Sequence, residues 1–204
     1  MFTKNINFKN FQIVKINSKL KKNLKKLLDE RNQIINSFDK SYKNSYDRTK
    51  ILKYKKFSDI LLIGMGGSIL GAKAIYNFFK DRIKKKFYFI DDLDEDKLKF
   101  FLKKNYLTLV ISKSGNTLET ISNSNIIVKQ NQNNIFLTEN KNSYLFKLAN
   151  KLKAEIIHHN NYIGGRYSVL SEVGMVPAEL MGLNENKFKR LNYLIKNKTF
   201  INFL

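Results

Sequence analysis

The chain has no cysteine and no tryptophan, one proline, two histidines, and 17 acidic residues against 38 basic ones in 204 residues. Without cysteine, disulfide bridges and thiolate-bound zinc are excluded. The single proline, Pro177, means that no proline-rich linker announces a domain boundary. No apolar run approaches the roughly 20 residues that cross a bilayer. The opening residues Met1 to Asn5 lack the apolar core of a signal peptide. The expectation is a soluble, cytoplasmic protein. A hydrophobic content of 43% and an aromatic content of 13% exclude wholesale disorder. The length suffices to bury a full core as one domain with a small extension.

The shortage of acid leaves a formal net charge of +21. Such an excess is compatible with nucleic-acid binding, but its layout argues otherwise. Lysine is scattered along the whole chain, and arginine, the better bidentate reader of phosphate and guanine, is sparse beside it. Lys, Asn, Ile, Phe and Tyr are all abundant, and all have A/T-rich codons, so base composition accounts for the bias. Nucleic acid is not the expected partner. The positive field can still draw anionic metabolites at low salt.

The first sixteen residues are irregular apart from an apolar–polar alternation at Phe11 to Ile16. Leu20, Leu24, Leu27, Leu28, Ile35 and Phe38 fall near helical spacing, which predicts one amphipathic helix from Ser18 to Asp39. A strand–helix alternation follows. Strands are expected at Asp59 to Ile63, Phe87 to Ile90, Leu107 to Ile111, Asn134 to Thr138 and Ala154 to Ile157. Helices are expected at Ile69 to Arg82, Asp94 to Lys104, Thr117 to Gln130 and Ser143 to Leu152, with Asn116 and Glu119 at capping-box spacing before the third. Short, continuously apolar strands separated by helices predict a parallel sheet covered on both faces. In such sheets ligands bind beyond the carboxyl ends of the strands.

Two loops at those ends carry chemistry. Ser112-Lys113-Ser114-Gly115-Asn116-Thr117 packs three hydroxyls and a glycine between a strand and a helix start, which suits a phosphate. Gly64-Met65-Gly66-Gly67-Ser68-Ile69-Leu70-Gly71 resembles a dinucleotide loop, with Asp91 and Asp92 placed to meet a ribose. Ile69, however, stands where the third glycine belongs. A Walker loop fails too, because Ala72 takes the lysine position. What remains is a glycine turn that brings backbone close to a ligand, with Ser68 adding a hydroxyl. A third segment, Gly164-Gly165-Arg166-Tyr167-Ser168 through Gly174, offers the Arg166 guanidinium after a double glycine.

Taken together, from about residue 50 to 183, the three segments resemble the phosphoglucose isomerase family. The resemblance implies a three-layer α-β-α sandwich, an α/β sugar-isomerase domain with a flavodoxin-like five-stranded parallel sheet. Its first and third strands would lie side by side. It implies that Ser112, Ser114 and Thr117 hold the phosphate of a hexose 6-phosphate, with Lys113 assisting through its backbone. Gly67 and Ser68 would line the sugar end. Arg166 would stabilise the enediolate formed as glucose 6-phosphate and fructose 6-phosphate interconvert, and a fixed cation there is worth about 3 kcal/mol. No cofactor and no metal is expected. The domain boundaries implied are 1–48 for a helical extension, 49–186 for the sugar-isomerase domain and 187–204 for a helix that begins a second half.

Family members are much longer, and their second sugar-isomerase domain brings the glutamate base, a ring-opening histidine, and a lysine and a glutamine. This chain ends before those signatures. The expectation is an N-terminal part that holds the phosphate but lacks the base, inactive or weakly active alone, since acid–base transfer contributes about 100- to 10,000-fold. The expected partners are a second copy in a homodimer, or a separately encoded second half that completes the site by association. The apolar ending Phe200 to Leu204 calls for a covering surface. Glu119 is read as a helix cap, Glu172 has no assigned role, and His158 and His159 are read as solvated loop residues. Two other classes compete: a non-catalytic sugar-phosphate-binding module, and a basic nucleic-acid-binding protein with steep salt dependence.

Overall fold

The computed structural model describes residues 18–30, 32–101, 106–130 and 133–189, the Lys97 side chain excepted. The chain divides into two compact units. One is Lys43–Glu185, and the other joins Met1–Tyr42 to Asn186–Leu204.

The larger unit is built on five strands, β1 (Asp59–Gly64), β2 (Lys86–Ile90), β3 (Leu107–Ile111), β4 (Asn134–Thr138) and β5 (Glu155–His158). All pair in parallel, in the order β2-β1-β3-β4-β5. This is the flavodoxin-like order expected, with β1 beside β3. β3 and β4 are buried at every position and β1 at all but its first, as continuous apolar runs covered on both faces require.

Alternation along the strands divides the core. Leu61, Ile63, Ile90, Val110 and Phe136 point to one face, where they cluster with Leu98, Phe101, Ile127, Leu145 and Ala149. Those partners belong to α5 (Glu95–Phe101), α6 (Leu118–Ile127) and α7 (Tyr144–Lys151). The opposite layer contains α3 (Arg48–Leu52), α4 (Gly67–Phe78) and α8 (Glu172–Leu180), with a 3-10 segment at Gly165–Leu170 packed between α4 and α8. Every residue of α8 is buried. The packing is tight enough that α8 carries a glycine: a Cβ at Gly174 would lie 2.0 Å from the Val169 carbonyl oxygen. The single proline, Pro177, sits inside this helix, where its ring forfeits one backbone bond. Ahead of β1, Asn44 Nδ2 and the Tyr46 hydroxyl both donate to Glu185 Oε2, at 2.6 and 2.7 Å, and Arg48 pairs with the buried Glu179 at 3.1 Å. This polar cluster fastens the lead-in to the sheet against the end of α8.

In the smaller unit the continuous helix predicted from Ser18 to Asp39 is broken. It forms as α1 (Ser18–Asp29) and α2 (Gln33–Ser37). Asn32 caps the second run, its Oδ1 accepting from the Ile35 N–H at 2.9 Å. Local capping therefore overrides the helical spacing of the apolar residues. A short α9 spans Glu185–Phe188. The alternation expected at Phe11 to Ile16 and most of the helix expected over 187–204 lie outside the described residues. Among the described residues no helix is long and apolar enough to cross a membrane.

Phe136 is the largest fully buried side chain among the described residues and belongs to the sheet's core cluster. Phe136→Ala is expected to cost about 3–5 kcal/mol in urea unfolding. Phe78→Ala, at a side chain 82% exposed, should change stability by no more than about 0.5 kcal/mol.

Candidate sugar-phosphate site

The register of the sheet sets the site. Gly64 pairs with Ile111, so the glycine loop after β1 and the hydroxyl loop after β3 leave the sheet side by side. Parallel pairing then continues past the strand ends: Ser112 N donates to Leu137 O, Glu139 N to Lys113 O, and His159 N to Thr138 O, at 2.9 to 3.1 Å. The loops after β3, β4 and β5 are thus held by backbone bonds rather than draped over the edge.

In the hydroxyl loop the three predicted phosphate ligands converge. Ser112 Oγ lies 3.0 Å from Thr117 Oγ1, and Ser114 Oγ 3.4 Å from it. Gly115 turns the chain with φ +65°, and a Cβ there would lie 2.1 Å from Ser143 Oγ. Thr117 is the N-cap residue of α6, yet its hydroxyl makes no capping bond. The capping box expected from Asn116 and Glu119 does not form. Asn116 Oδ1 instead accepts the Tyr144 N–H at 2.9 Å, so the residue that should close α6 bridges to α7. α4 is likewise uncapped by any side chain, its N-cap being Gly66 at φ +52°. Two helices that begin at the same edge are closed: Ser143 Oγ accepts from Phe146 N in α7, and Asp94 Oδ1 from Asp96 N at the start of α5. α8 likewise lacks a side-chain cap at Ser171, but the open N-termini of α4 and α6 are the ones beside the predicted ligand residues, where the helix dipoles favour an anion.

The Lys113 side chain turns away from the hydroxyls. Its Nζ donates to Asn161 O at 2.7 Å and lies 3.5 Å from Glu139 Oε1. Burial raises the Glu139 carboxyl, but Lys141 and Lys113 outweigh it and hold the group below the ordinary carboxylate range. Lys113 is thereby left its backbone as the means of meeting a ligand in this loop.

Gly67 and Ser68 open α4, and Gly67 lies directly against the third segment. A Cβ on Gly67 would sit 2.2 Å from both the carbonyl carbon and oxygen of Gly165. Ser168 Oγ donates to Gly165 O at 2.7 Å, and Val169 fills the space left by Gly71. Arg166 follows Gly165 at once, with its side chain exposed. Among the described residues no carboxylate pairs with Arg166. Asp91, the candidate ribose ligand of the dinucleotide reading, is occupied by Lys73 of α4 at 2.8 Å.

His159 corrects the sequence reading. It is fully buried, not solvated. It continues the alternation that buries Ile157 in β5, a period-2 signal available in the sequence. Its Nδ1 lies 3.1 Å from Asn160 O and 3.8 Å from Oε1 of the equally buried Glu172. Both are acceptors there, so Nδ1 carries the proton. Burial pushes the imidazole down to about 4, against opposition from the Asn160 carbonyl. Its neighbour His158 accepts the Asn140 N–H at 3.2 Å through Nδ1.

A parallel α/β sheet in this order, with two loops side by side at the β1–β3 switch point, is the flavodoxin-like architecture. The chain belongs to the phosphoglucose isomerase family, whose profile matches residues 22–193. It is 36% identical to the glucose-6-phosphate isomerase of Methanocaldococcus jannaschii, over 81% of this chain and 42% of that protein. It is 35% identical to that of Acholeplasma laidlawii, over 71% of this chain and 39% of that protein. The chain thus spans under half the length of these relatives. Among solved structures, a hypothetical protein of Thermus thermophilus superposes with a TM-score of 0.67 at 22% identity, covering 83% of this chain and 45% of that one. Tagatose-6-phosphate ketose/aldose isomerase of Escherichia coli does so at 0.51 and 15% identity, covering 83% and 46%. At such identities these two similarities speak to the fold.

Gly67→Ala should force the glycine loop and the third segment apart and lower stability by about 1–3 kcal/mol in urea unfolding. An unchanged midpoint would mean the contact yields freely. His159 gives a pH signature of definite sign. Its folded value lies below the ordinary 6.5, so its contribution is present above that pH and is lost as pH falls from there towards about 4. That amounts to about 2 kcal/mol between pH 7 and pH 5. Urea midpoints of the parent chain and of His159→Gln at the two pH values should show the smaller drop in the variant.

Proposed function

We propose that this chain serves the isomerisation of glucose 6-phosphate and fructose 6-phosphate, in glycolysis and gluconeogenesis in the cytoplasm. The observation that carries the reading is the convergence of Ser112, Ser114 and Thr117 hydroxyls at the open N-terminus of α6, in a chain that belongs to this family. The three hydroxyls donate to phosphate oxygens, and the Lys113 backbone lies among them. Gly67 and Ser68 line the sugar end. The exposed guanidinium of Arg166 takes up charge as the enediolate develops between C1 and C2, a stabilisation of about 3 kcal/mol. The reaction moves a proton from C2 to C1 and needs a base to carry it. In our reading that base comes from outside residues 1–204. The sugar-isomerase domain is 49–186, with 1–48 a helical extension and 187–204 the start of a second half. That half, in the same polypeptide or as a separate chain, completes the site.

Titration of the 204-residue chain with fructose 6-phosphate should give saturable binding, weakened about tenfold or more by Ser112→Ala through loss of a charge-assisted bond. A coupled assay should find turnover about 100- to 10,000-fold below that of a full-length relative. Turnover comparable to the relative would overturn the external base. Absence of binding would overturn the substrate.

A further inference from the structure

We propose that Glu172 is a positioning residue for Arg166: its buried carboxylate ties the turn leaving β5 to the first turn of α8 and so fixes where residues 164–171 lie against the hydroxyl loop. The inference rests on the sugar-phosphate reading of the site. Glu172 is the first residue of α8 and is wholly buried. Its Oε1 accepts the Asn160 N–H at 2.6 Å, a bond that closes a loop of twelve residues. Everything that carries Arg166 lies inside that loop.

The loop is braced from within and from without. Inside, Tyr167 N donates to Gly164 O, Ser171 N to Ser168 O, and Ser168 Oγ to Gly165 O, while the Ile163 side chain is wholly buried. Around it, the turn it springs from is held to the hydroxyl loop by Lys113 Nζ, which donates to Asn161 O at 2.7 Å, and to the end of β4 by His159 N, which donates to Thr138 O. Glu172 is therefore linked to each of the three motifs through the backbone of this loop. It reaches the hydroxyl loop through Asn160 and Asn161, the glycine loop through Gly165 against Gly67, and the Arg166 segment through the backbone that leads to it.

The chemistry fits a carboxylate. Its Oε1 meets a strong donor in the Asn160 N–H at 2.6 Å, while His159 Nδ1, 3.8 Å away, gives its proton to Asn160 O. Glu172 also sits in the first turn of a helix, where the dipole favours negative charge. A buried acid without such a donor would be costly. Gln at this position keeps an oxygen acceptor, Asp keeps the charge but falls one methylene short, and Ala keeps neither.

Amide exchange and ligand titration on Glu172→Gln, Glu172→Asp and Glu172→Ala test the role. In Glu172→Ala, exchange over residues 163–170 should rise about tenfold or more while the β1 and β3 amides stay unchanged. Fructose 6-phosphate affinity should fall about tenfold, whereas inorganic phosphate, read at the Ser112–Thr117 amides, should change less than about twofold. Glu172→Gln should stay near the parent chain in all three. Where alanine prevents folding, Glu172→Asp decides: faster exchange over 163–170 than in Glu172→Gln supports the role, and exchange equal to the parent overturns it. Equal losses for phosphate and sugar phosphate would overturn it as well, by making Glu172 a general stabiliser. Failure of the parent chain to bind either ligand would sink the isomerase reading, and the exchange comparison would still decide the part played by Glu172.

Discussion

The contact on which the site depends is backbone against backbone, Gly67 on Gly165. A single Cβ on Gly67 would fall 2.2 Å from the Gly165 carbonyl group, closer than any real contact. This is why two glycine-bearing stretches almost a hundred residues apart can meet. Once they do, the residue after Gly165 is Arg166 and the residue after Gly67 is Ser68. The same intolerance recurs at Gly71 and Gly174, both packed on Val169. α4, the 3-10 segment and α8 therefore lock through small residues at their crossings. Interiors packed this closely do not deform continuously, so the relative placement of the two loops is fixed by shape before any polar group is counted.

Polar groups add direction to that frame. The parallel ladder continues beyond the last residues of β3, β4 and β5, and the loops inherit the sheet's register. Buried and half-buried carboxylates then fasten loop to loop. Glu139 meets Lys113 and Lys141, and Glu172 meets the turn after β5. Glu179 and Glu185 hold the lead-in to β1. Individually, such contacts are modest where water reaches them. Their value here is geometric, because each removes a freedom that a ligand would otherwise have to freeze out.

Much of this was legible in the sequence. Continuous apolar strands such as Leu107 to Ile111 and Asn134 to Thr138 can only be buried on both faces, and the loops that follow them can only be at the ligand edge. Element order and sheet class follow from that. The misreadings have a common origin in side chains that choose between local partners. Asn32 splits a helix that apolar spacing drew as one. Asn116 was expected to cap α6 and bridges instead to Tyr144 of α7, which lies 28 residues on. His159 reads as a solvated loop residue because it follows the predicted end of β5 and lone histidines are commonly solvated, although the alternation through Ile157 turns it inward. Glu172 carried no periodic or motif signal at all. Its partner is a backbone N–H in a turn, and nothing in a residue's type announces that.

The excess of positive charge and the neutrality of the cradle are two halves of one arrangement. A net charge of +21 attracts any anion, at a range set by salt and without regard to shape. The three side chains that converge after β3 are uncharged hydroxyls, and the nearest lysine of that loop is turned to Asn161 and Glu139. Discrimination must therefore come from where donors point, not from how much charge they carry. Hydroxyls beside an open helix N-terminus hold a tetrahedral anion in one orientation. A flexible ammonium at the same place would hold it in many. Arg166 stands exposed on the segment that Gly165 holds against Gly67. The scattered lysines can bring phosphates to the surface; under the proposed function, the hydroxyl loop and the Gly67–Gly165 contact decide which of them fit.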